Sequence, residues 1–459
     1  MAAIAGLMDF RQEGPPADIG TFQLPCRVLV FQHTFAGTTY VCAVRAGVRG
    51  WVLVDYGTVA STVIQAAINV LPAIGGEIFI MAAVYTLLTT ILVNKHGVSI
   101  FGENPYPLAG TCLRLANGAN VDMIEVTGIK CHISNLNLDG NKANQAVTTL
   151  QGIYAHGGTS QDLHIDHCYI FNVNGIGIFS TGDGDNYHAV YSEGHYDYGW
   201  KLTGNYGVLV GCYSCFNGKG IWIDGSQNML IGCTILQCSY GILMGYDNAI
   251  HDNIVSSCQL KFISNHGIWM NKATRIVIDN NIFFECGKGT NNTYDCVYMA
   301  SLDGVPCTHN IISANSMSSD LANLPRYGIN ESDANQDYNT IIGNDIQNVA
   351  TRGINWNGVN SKVKDNQGFV TENSVLSPTF AIDATGIKTV TIPHGLAITP
   401  AKKDCALTVV EETDVDDWRY DFLKVDTVDA TNVIAKINVS TASVTAGATA
   451  RLALRVGAP

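Results

Sequence analysis

The chain has 459 residues, 47% of them apolar and 14% charged, with 46 glycines, which fits a folded chain of strands and tight turns rather than a disordered one. Lys and Arg number 26 against 39 Asp and Glu, a net charge of −13 with no run of like charge. That balance argues against binding nucleic acid through phosphates, because no basic stripe is present to displace counterions; it suits an uncharged polar partner such as a glycan, and solubility alone accounts for it equally well.

Residues 1–19 carry Gly14-Pro15-Pro16 and little periodicity, which reads as a loose arm. Met1 to Phe10 lacks a basic start and contains Asp9, so no signal peptide is visible. Thr21 to Tyr56 alternates apolar and polar residues, as in Arg27-Val28-Leu29-Val30-Phe31, and predicts a small β unit that closes the first segment, 1–57. Within 58–74 the period changes: Val59, Val63, Ile64, Ala67, Ile68 and Leu71 share one helical face, with Thr58 as N-cap. Ile78 to Val93 is an apolar run of 16 residues without charge, short for a membrane span, and its Thr content and the preceding Gly75-Gly76 predict two buried strands.

Further on the chain repeats itself. Gly199-Trp200-Lys201-Leu202, Gly220-Ile221-Trp222-Ile223, Gly241-Ile242-Leu243-Met244 and Gly267-Ile268-Trp269-Met270 open successive units, at glycine spacings of 21, 21 and 26 by subtraction. Val210-Gly211-Cys212-Tyr213, Ile231-Gly232-Cys233-Thr234 and His251-Asp252-Asn253-Ile254 echo one another between them. A period in the twenties, built of short alternating strands with glycines at the turns, predicts an all-β parallel β-helix over 75–373, its coils about 4.8 Å apart. The 58–74 helix then closes its open end. Glu372 to Pro378 reads as a hinge, and five alternating segments (388–392, 405–410, 418–425, 432–439 and 450–456) predict a β-sandwich over 379–459.

The order helix, Gly75-Gly76-Glu77-Ile78-Phe79-Ile80, Tyr85-Thr86-Leu87, Ile91-Leu92-Val93, Gly97-Val98-Ser99-Ile100-Phe101-Gly102 resembles the entry to pectate-lyase-like right-handed β-helix proteins, a group that includes many phage tailspikes. The resemblance covers about residues 58–372; Ala82-Ala83-Val84 departs from it, standing where the family usually has Pro and Gly before the Tyr. Val390-Thr391-Ile392-Pro393-His394-Gly395-Leu396 resembles the opening of small C-terminal sandwiches on tail fibres and tailspikes, which implies trimerisation or receptor contact there.

The 14 cysteines include one C-x-x-C pair, Cys212 and Cys215, whose side chains point to opposite faces of a strand and cannot readily clasp one ion. Cys168, Cys212 and Cys233 instead share one place in successive units, with Asn253, Asn281, Asn315 and Asn344 taking it over later, which predicts interior ladders, reduced thiols and synthesis in a cytosol.

Counted from each unit's glycine, offset two should face outward and reads Tyr154, Gly177, Lys201, Trp222, Leu243, Trp269, Tyr298. Tyr154, Lys201, Trp222, Trp269 and Tyr298 are therefore the candidate sugar-binding residues, since a row of aromatics on an outer face holds flat sugar rings; the same row would also serve as a subunit seam or lie under a loop. Offset four reads His156, Phe179, Thr203, Asp224, Gly245, Asn271, placing Asp224 one step beyond Trp222. A stretch read as an insertion, Thr181 to Tyr198, holds Asp183, Asp185, His188, Glu193, His195 and Asp197. Asp224, Glu193, His195, Asp183, Asp185 and His188 are the catalytic candidates: a glycosidase needs two carboxyl groups about 5 to 10 Å apart, and a lyase needs a base such as His188, His195, Tyr196 or Lys201. Hydrated turns of Asp, Asn and Gly explain the same cluster. Neither a pectate lyase calcium pattern nor a polygalacturonase carboxylate motif is recognisable, so no metal ligand and no cofactor is expected, with calcium left open.

The resemblance implies a tailspike-like host-attachment protein that binds and depolymerises a surface polysaccharide, as hydrolase or lyase. A non-enzymatic glycan-binding adhesin or structural tail fibre is the alternative, and a secreted polysaccharide lyase a third. Expected partners are a glycan, further copies in a homotrimer, and the virion tail through the N-terminus, with no nucleic acid and no membrane span. The expected location is the virion tail after assembly in host cytoplasm, or else extracellular.

Overall fold

The computed structural model describes residues 27–47, 50–104, 110–156, 162–320, 322–358, 360–368, 372–376, 380–381, 385–393, 405–411, 419–429, 431–441 and 449–457. The N-terminal arm, His394-Gly395-Leu396, Pro378 and Trp418 lie outside them. The chain opens with an antiparallel meander, β1 (Arg27–Phe35), β2 (Thr38–Gly47) and β3 (Gly50–Gly57). It is not separate: β1 pairs in parallel with β4 (Gly76–Ile80), the first strand of the solenoid. From β4 on, successive strands are dealt in turn to three parallel sheets, A, B and C; sheet A, which includes the meander, has 15 strands, and B and C have 11 each. The Ile78–Val93 run supplies one strand to each, Gly76–Ile80, Ala83–Leu87 and Ile91–Val93, so it makes three strands where two were expected. One apolar core, from Val28 to Val363, fills the solenoid. No helix among the described residues is long and apolar enough to cross a membrane.

Helix α1 (Ala60–Val70) buries Ala60, Val63, Ile64, Ala67 and Ile68, the face the periodicity selects. Its N-cap is Val59, with no side-chain cap, rather than Thr58. Gln65 does more for it: its Oε1 accepts from Leu92 N at 2.8 Å and its Nε2 donates to Leu92 O at 3.1 Å. The helix thereby satisfies the outermost strand of sheet C, which would otherwise offer an unpaired edge.

The repeated glycine has a steric cause. A Cβ on Gly152, Gly177, Gly199, Gly220 or Gly241 would stand 2.2–2.8 Å from the carbonyl oxygen of the matching glycine in the next coil. The matching residue in the first of these repeats is Gly177, not Gly175: Ile178 pairs with Trp200 and Phe179 with Lys201. The offset-two ladder therefore contains Phe179 in place of Gly177, and offset four contains Thr181 in place of Phe179. A two-residue slip in counting moves a side chain along its strand without changing face, so alternation alone could not reveal it.

Between sheets A and B each coil from Asn135 onward turns on one left-handed residue, among them Ala189, Gly211, Gly232, Ser257, Asn280 and Ala314 with φ of 51° to 63°. The next residue points inward, giving Cys168, Val190, Cys212, Cys233, Cys258, Asn281, Asn315, Asn344 and Asn366 in order. Asn281 N and Nδ2 donate to Asn315 Oδ1 at 3.0 and 2.9 Å, and Asn315 repeats this on Asn344. Asn253 belongs instead to a second ladder, before sheet A, where its Oδ1 accepts from Asn228 N at 2.7 Å. Every described cysteine other than Cys405 is free and buried. Burial pushes Cys215 up to about 11 and Cys168 and Cys238 up to about 12, so little thiolate exists at neutral pH. A thiol reagent is expected to label native protein slowly and denatured protein fully; rapid native labelling of most cysteines would contradict the ladders.

The C-terminal strands form two antiparallel sheets, one of Glu372–Leu376, Phe380–Ala381, Cys405–Glu411 and Thr449–Gly457, the other of Gly386–Pro393, Arg419–Val428 and Asn432–Thr441. Val390, Ile392, Val433, Ala435, Ile437, Leu452 and Leu454 form their shared core. The segment read as a hinge thus contributes a strand, Glu372–Leu376, paired with Ala453–Gly457.

Candidate functional site

On the outer face of sheet C the register stacks Glu125, Tyr154, Phe179, Lys201, Trp222, Leu243, Trp269 and Tyr298 in consecutive coils. A second row beside it pairs Tyr198, Lys219 and Tyr240. Strand alternation puts these side chains opposite the core, and stacking at one strand spacing per coil makes them continuous. Tyr154 and Phe179 stack with centroids 5.1 Å apart at 12°. Lys201 Nζ sits 3.9 Å from the Trp222 ring centroid and 5.4 Å from that of Phe179. Tyr246, from the following turn, stands edge-on to both Trp222 and Trp269, at 5.9 and 5.7 Å, and so roofs the step occupied by Leu243. His266 stacks on Tyr298 at 4.4 Å and 11°.

The ladder is less open than an outer face would suggest. Trp222 is only 8% exposed, because Lys201, Tyr198 and Tyr246 lie against it, whereas Trp269 and Tyr298 are half-buried. The Nε1–H groups of Trp222 and Trp269 are buried and have no acceptor among the described residues. Trp222 Nε1 lies near the Asp224 carboxylate, outside hydrogen-bonding geometry. Burial pushes Asp224 above the usual carboxylate range, partly opposed by that indole and by the Asp247 amide, 3.2 Å from Oδ1.

The Thr181–Tyr198 stretch is not an insertion. It is one regular coil with strands Asn186–His188 and Tyr191–Glu193, and it scatters its titratable groups around the circumference. His188 is exposed on sheet A; Glu193 is on sheet B, where it accepts a hydrogen bond from the Tyr169 hydroxyl; Asp183 lies in the turn, 2.7 Å from Asn205 N. Asp185 and His195 face the interior, where no polysaccharide reaches. Asp185 accepts from Leu163 N and Ser180 Oγ, and burial pushes its carboxyl up to about 6. His195 receives Val173 N on Nδ1 at 3.2 Å, meets Ser192 Oγ on Nε2 at 2.9 Å, and is pushed down to about 3 by burial and then by Lys142. Asp197 holds Lys219 at 2.8 Å beside sheet C, and Tyr196 is exposed. Of the catalytic candidates only Asp224 adjoins the aromatic ladder.

The first end of the ladder carries groups that sequence spacing does not gather. His156 Nε2 is 2.5 Å from Glu125 Oε1, Tyr154 stacks on His156 at 4.3 Å, and Asp122 accepts from Gln151 N at 2.7 Å. Burial, then Glu125, pushes Tyr154 up; burial also raises Asp122. Glu125 and His156 are 31 residues apart, longer than the repeat period, so only the register joins them.

No family model matches the chain, and no curated protein matches its sequence. Solved structures do resemble it. The A-module of mannuronan C-5 epimerase AlgE4 from Azotobacter vinelandii gives a TM-score of 0.54 at 17% identity, covering 66% of this chain and 95% of that one. The AlgE6 A-module of the same organism gives 0.51 at 15%, covering 68% and 97%. A mutant tailspike protein of E. coli bacteriophage HK620, in complex with a pentasaccharide, gives 0.55 at 12%, covering 87% and 90%. At such identities the likeness establishes the fold, a right-handed parallel β-helix.

Proposed function

We propose that the chain is a tailspike-like virion protein that binds a polysaccharide along the outer face of sheet C between Tyr154 and Tyr298. The observation that carries this is the continuous outward row of Tyr154, Phe179, Lys201, Trp222, Leu243, Trp269 and Tyr298, in which Trp222 and Trp269 stand two coils apart. The two indole rings supply flat apolar faces on which sugar rings stack. Two coils place these rings about 10 Å apart, which suits sugars about two residues apart along a chain. The fold supports the reading, as does the tailspike solved with a pentasaccharide. Attachment to a host surface and anchoring to the tail by the N-terminal arm complete it. A panel of bacterial surface polysaccharides tested for retention by the protein is the direct check, and failure of every member to bind would sink it.

Cleavage is the second reading, favoured by the Asp122, Glu125, Tyr154 and His156 group at one end of the ladder. A lyase would use His156 or Tyr154 as base with Lys201 facing a uronate carboxylate; a hydrolase would use the two carboxyl groups. The same panel, read for new reducing ends and for the absorbance of unsaturated uronates, separates the two from binding alone.

A homotrimer belongs to this proposal, with the C-terminal sandwich as its clasp or as a receptor contact. Support comes from the outer face of sheet A, where Val208, Met229, Ile254, Val277 and Ile311 stack in five successive coils and Ile311 is 42% exposed. This aliphatic stripe suits a protein seam, while the aromatic and charged face of sheet C suits a sugar. Light scattering should give a trimer, and Ile254→Asp should shift it toward monomer. A wild-type monomer would refute the assembly.

A further inference from the structure

Four histidines crowd one aspartate on the outer face of sheet A, away from the aromatic ladder of sheet C. His132 and His164 are register partners on adjacent parallel strands, and Asp166 lies two residues beyond His164 on the same outer face. His132 Nε2 meets Asp166 Oδ1 directly, and His164 Nε2 is 3.9 Å from the same oxygen. The three ligand atoms lie within 4.8 Å of one another. Two metal–ligand bonds of about 2.0–2.2 Å at a tetrahedral angle put their ligand atoms about 3.5 Å apart, so a small rotation of the imidazoles admits one ion. The second carboxylate oxygen is already held, by His167 Nδ1 at 2.8 Å, with the His188 ring edge-on to His167 at 5.4 Å. Such an outer partner fixes the orientation of a ligating carboxylate.

We propose that His132, His164 and Asp166 form a binding site for a divalent first-row transition ion such as Zn²⁺. The ion would bridge two successive coils. Two imidazole nitrogens and one carboxylate oxygen suit Zn²⁺ and its neighbours, whereas Ca²⁺ and Mg²⁺ take oxygen ligands. The side chains of His132 and His164 are 41% and 50% exposed, which leaves an entry path and room for water as a further ligand. The ligands project from a stacked sheet, so little ordering is needed to bring them together. Among the described residues the cysteines offer little competition, being buried except for half-buried Cys405.

The test is a Zn²⁺ titration of the full chain, freed of metal by a chelator, against a chromophoric competitor, with thermal melting run in parallel. The expected result is one ion per chain, a higher melting temperature with Zn²⁺, and no displacement by Ca²⁺ or Mg²⁺ in excess. His132→Ala, His164→Ala and Asp166→Asn should each weaken binding on the order of 10- to 100-fold or more and abolish the thermal shift. His251→Ala, which alters an exposed histidine elsewhere whose imidazole pairs with Asp252, should change neither. Circular dichroism of the metal-free variants separates loss of a ligand from loss of fold, since all three positions lie on the outer surface. Undiminished binding in the His132→Ala, His164→Ala double variant would overturn the proposal. So would the absence of Zn²⁺ binding in the wild type, which would leave the group as an ion pair of His132 and Asp166.

Discussion

Trp269→Ala is expected to weaken oligosaccharide binding by about 1–3 kcal/mol, roughly 5- to 150-fold, with little effect on folding. Trp269 is half-buried against Tyr240, Tyr246, Tyr298 and the buried His266, outside the apolar core of the solenoid, so its removal leaves that core intact. Trp222→Ala should cost both binding and stability, because Trp222 is 8% exposed and is packed with Tyr198 and Leu243 into a small outer cluster. Lys201→Met separates charge from bulk: it keeps most of the stem over Trp222 and removes the ammonium 3.9 Å from the ring. It should weaken an acidic glycan more than a neutral one. The measurement is calorimetric titration with a defined oligosaccharide. If Trp269→Ala binds as wild type does, the glycan lies elsewhere, and the C-terminal sandwich becomes the next place to look.

Gly220→Ala is expected to destabilise the solenoid by about 3 kcal/mol or more, or to prevent folding, although it adds a single carbon. The new Cβ would stand 2.3 Å from the Gly241 carbonyl oxygen and 2.7 Å from Ile235 Cγ2. The carbonyl is backbone held between coils, so it cannot step aside without breaking the stack. Gly232→Ala is the control. Gly232 has φ of 63°, yet nothing lies within 4 Å of its added Cβ, and Ala189 and Ala314 adopt the same left-handed turn in other coils. It should cost about 1–2 kcal/mol, the strain of that conformation alone. Thermal unfolding of both variants decides the matter, and equal losses would mean that conformation, not close approach of coils, selects the glycines.

The sequence by itself determined the architecture. Glycine spacing and alternation of period two mark a β-helix because each coil must repeat the same inward positions and the same close approach, so the constraint is written locally and again in every coil. The helical face of Val63, Ile64, Ala67 and Ile68 and the five C-terminal strands were legible for the same reason, since local periodicity decides which side faces a core. The pairing of Trp222 with Leu243 and then Trp269 followed from counting coils of regular length.

What surrounds a point on the outer surface was decided only by the tertiary structure. A coil sends its consecutive residues to three different faces, so Asp183, Asp185, His188, Glu193 and His195, neighbours in sequence, end at a turn, in the interior and on two sheets. Conversely, Glu125 meets His156 across 31 residues, and His132 meets Asp166 across 34, because parallel stacking sets each strand against its counterpart one coil later. Coil lengths vary, and each added residue shifts the count from which such partners would be read. That is why Asn253 fell into the wrong ladder and Gly177 took the place of Phe179: the hydrogen-bonded register between coils, not spacing along the chain, fixes which side chains share a surface.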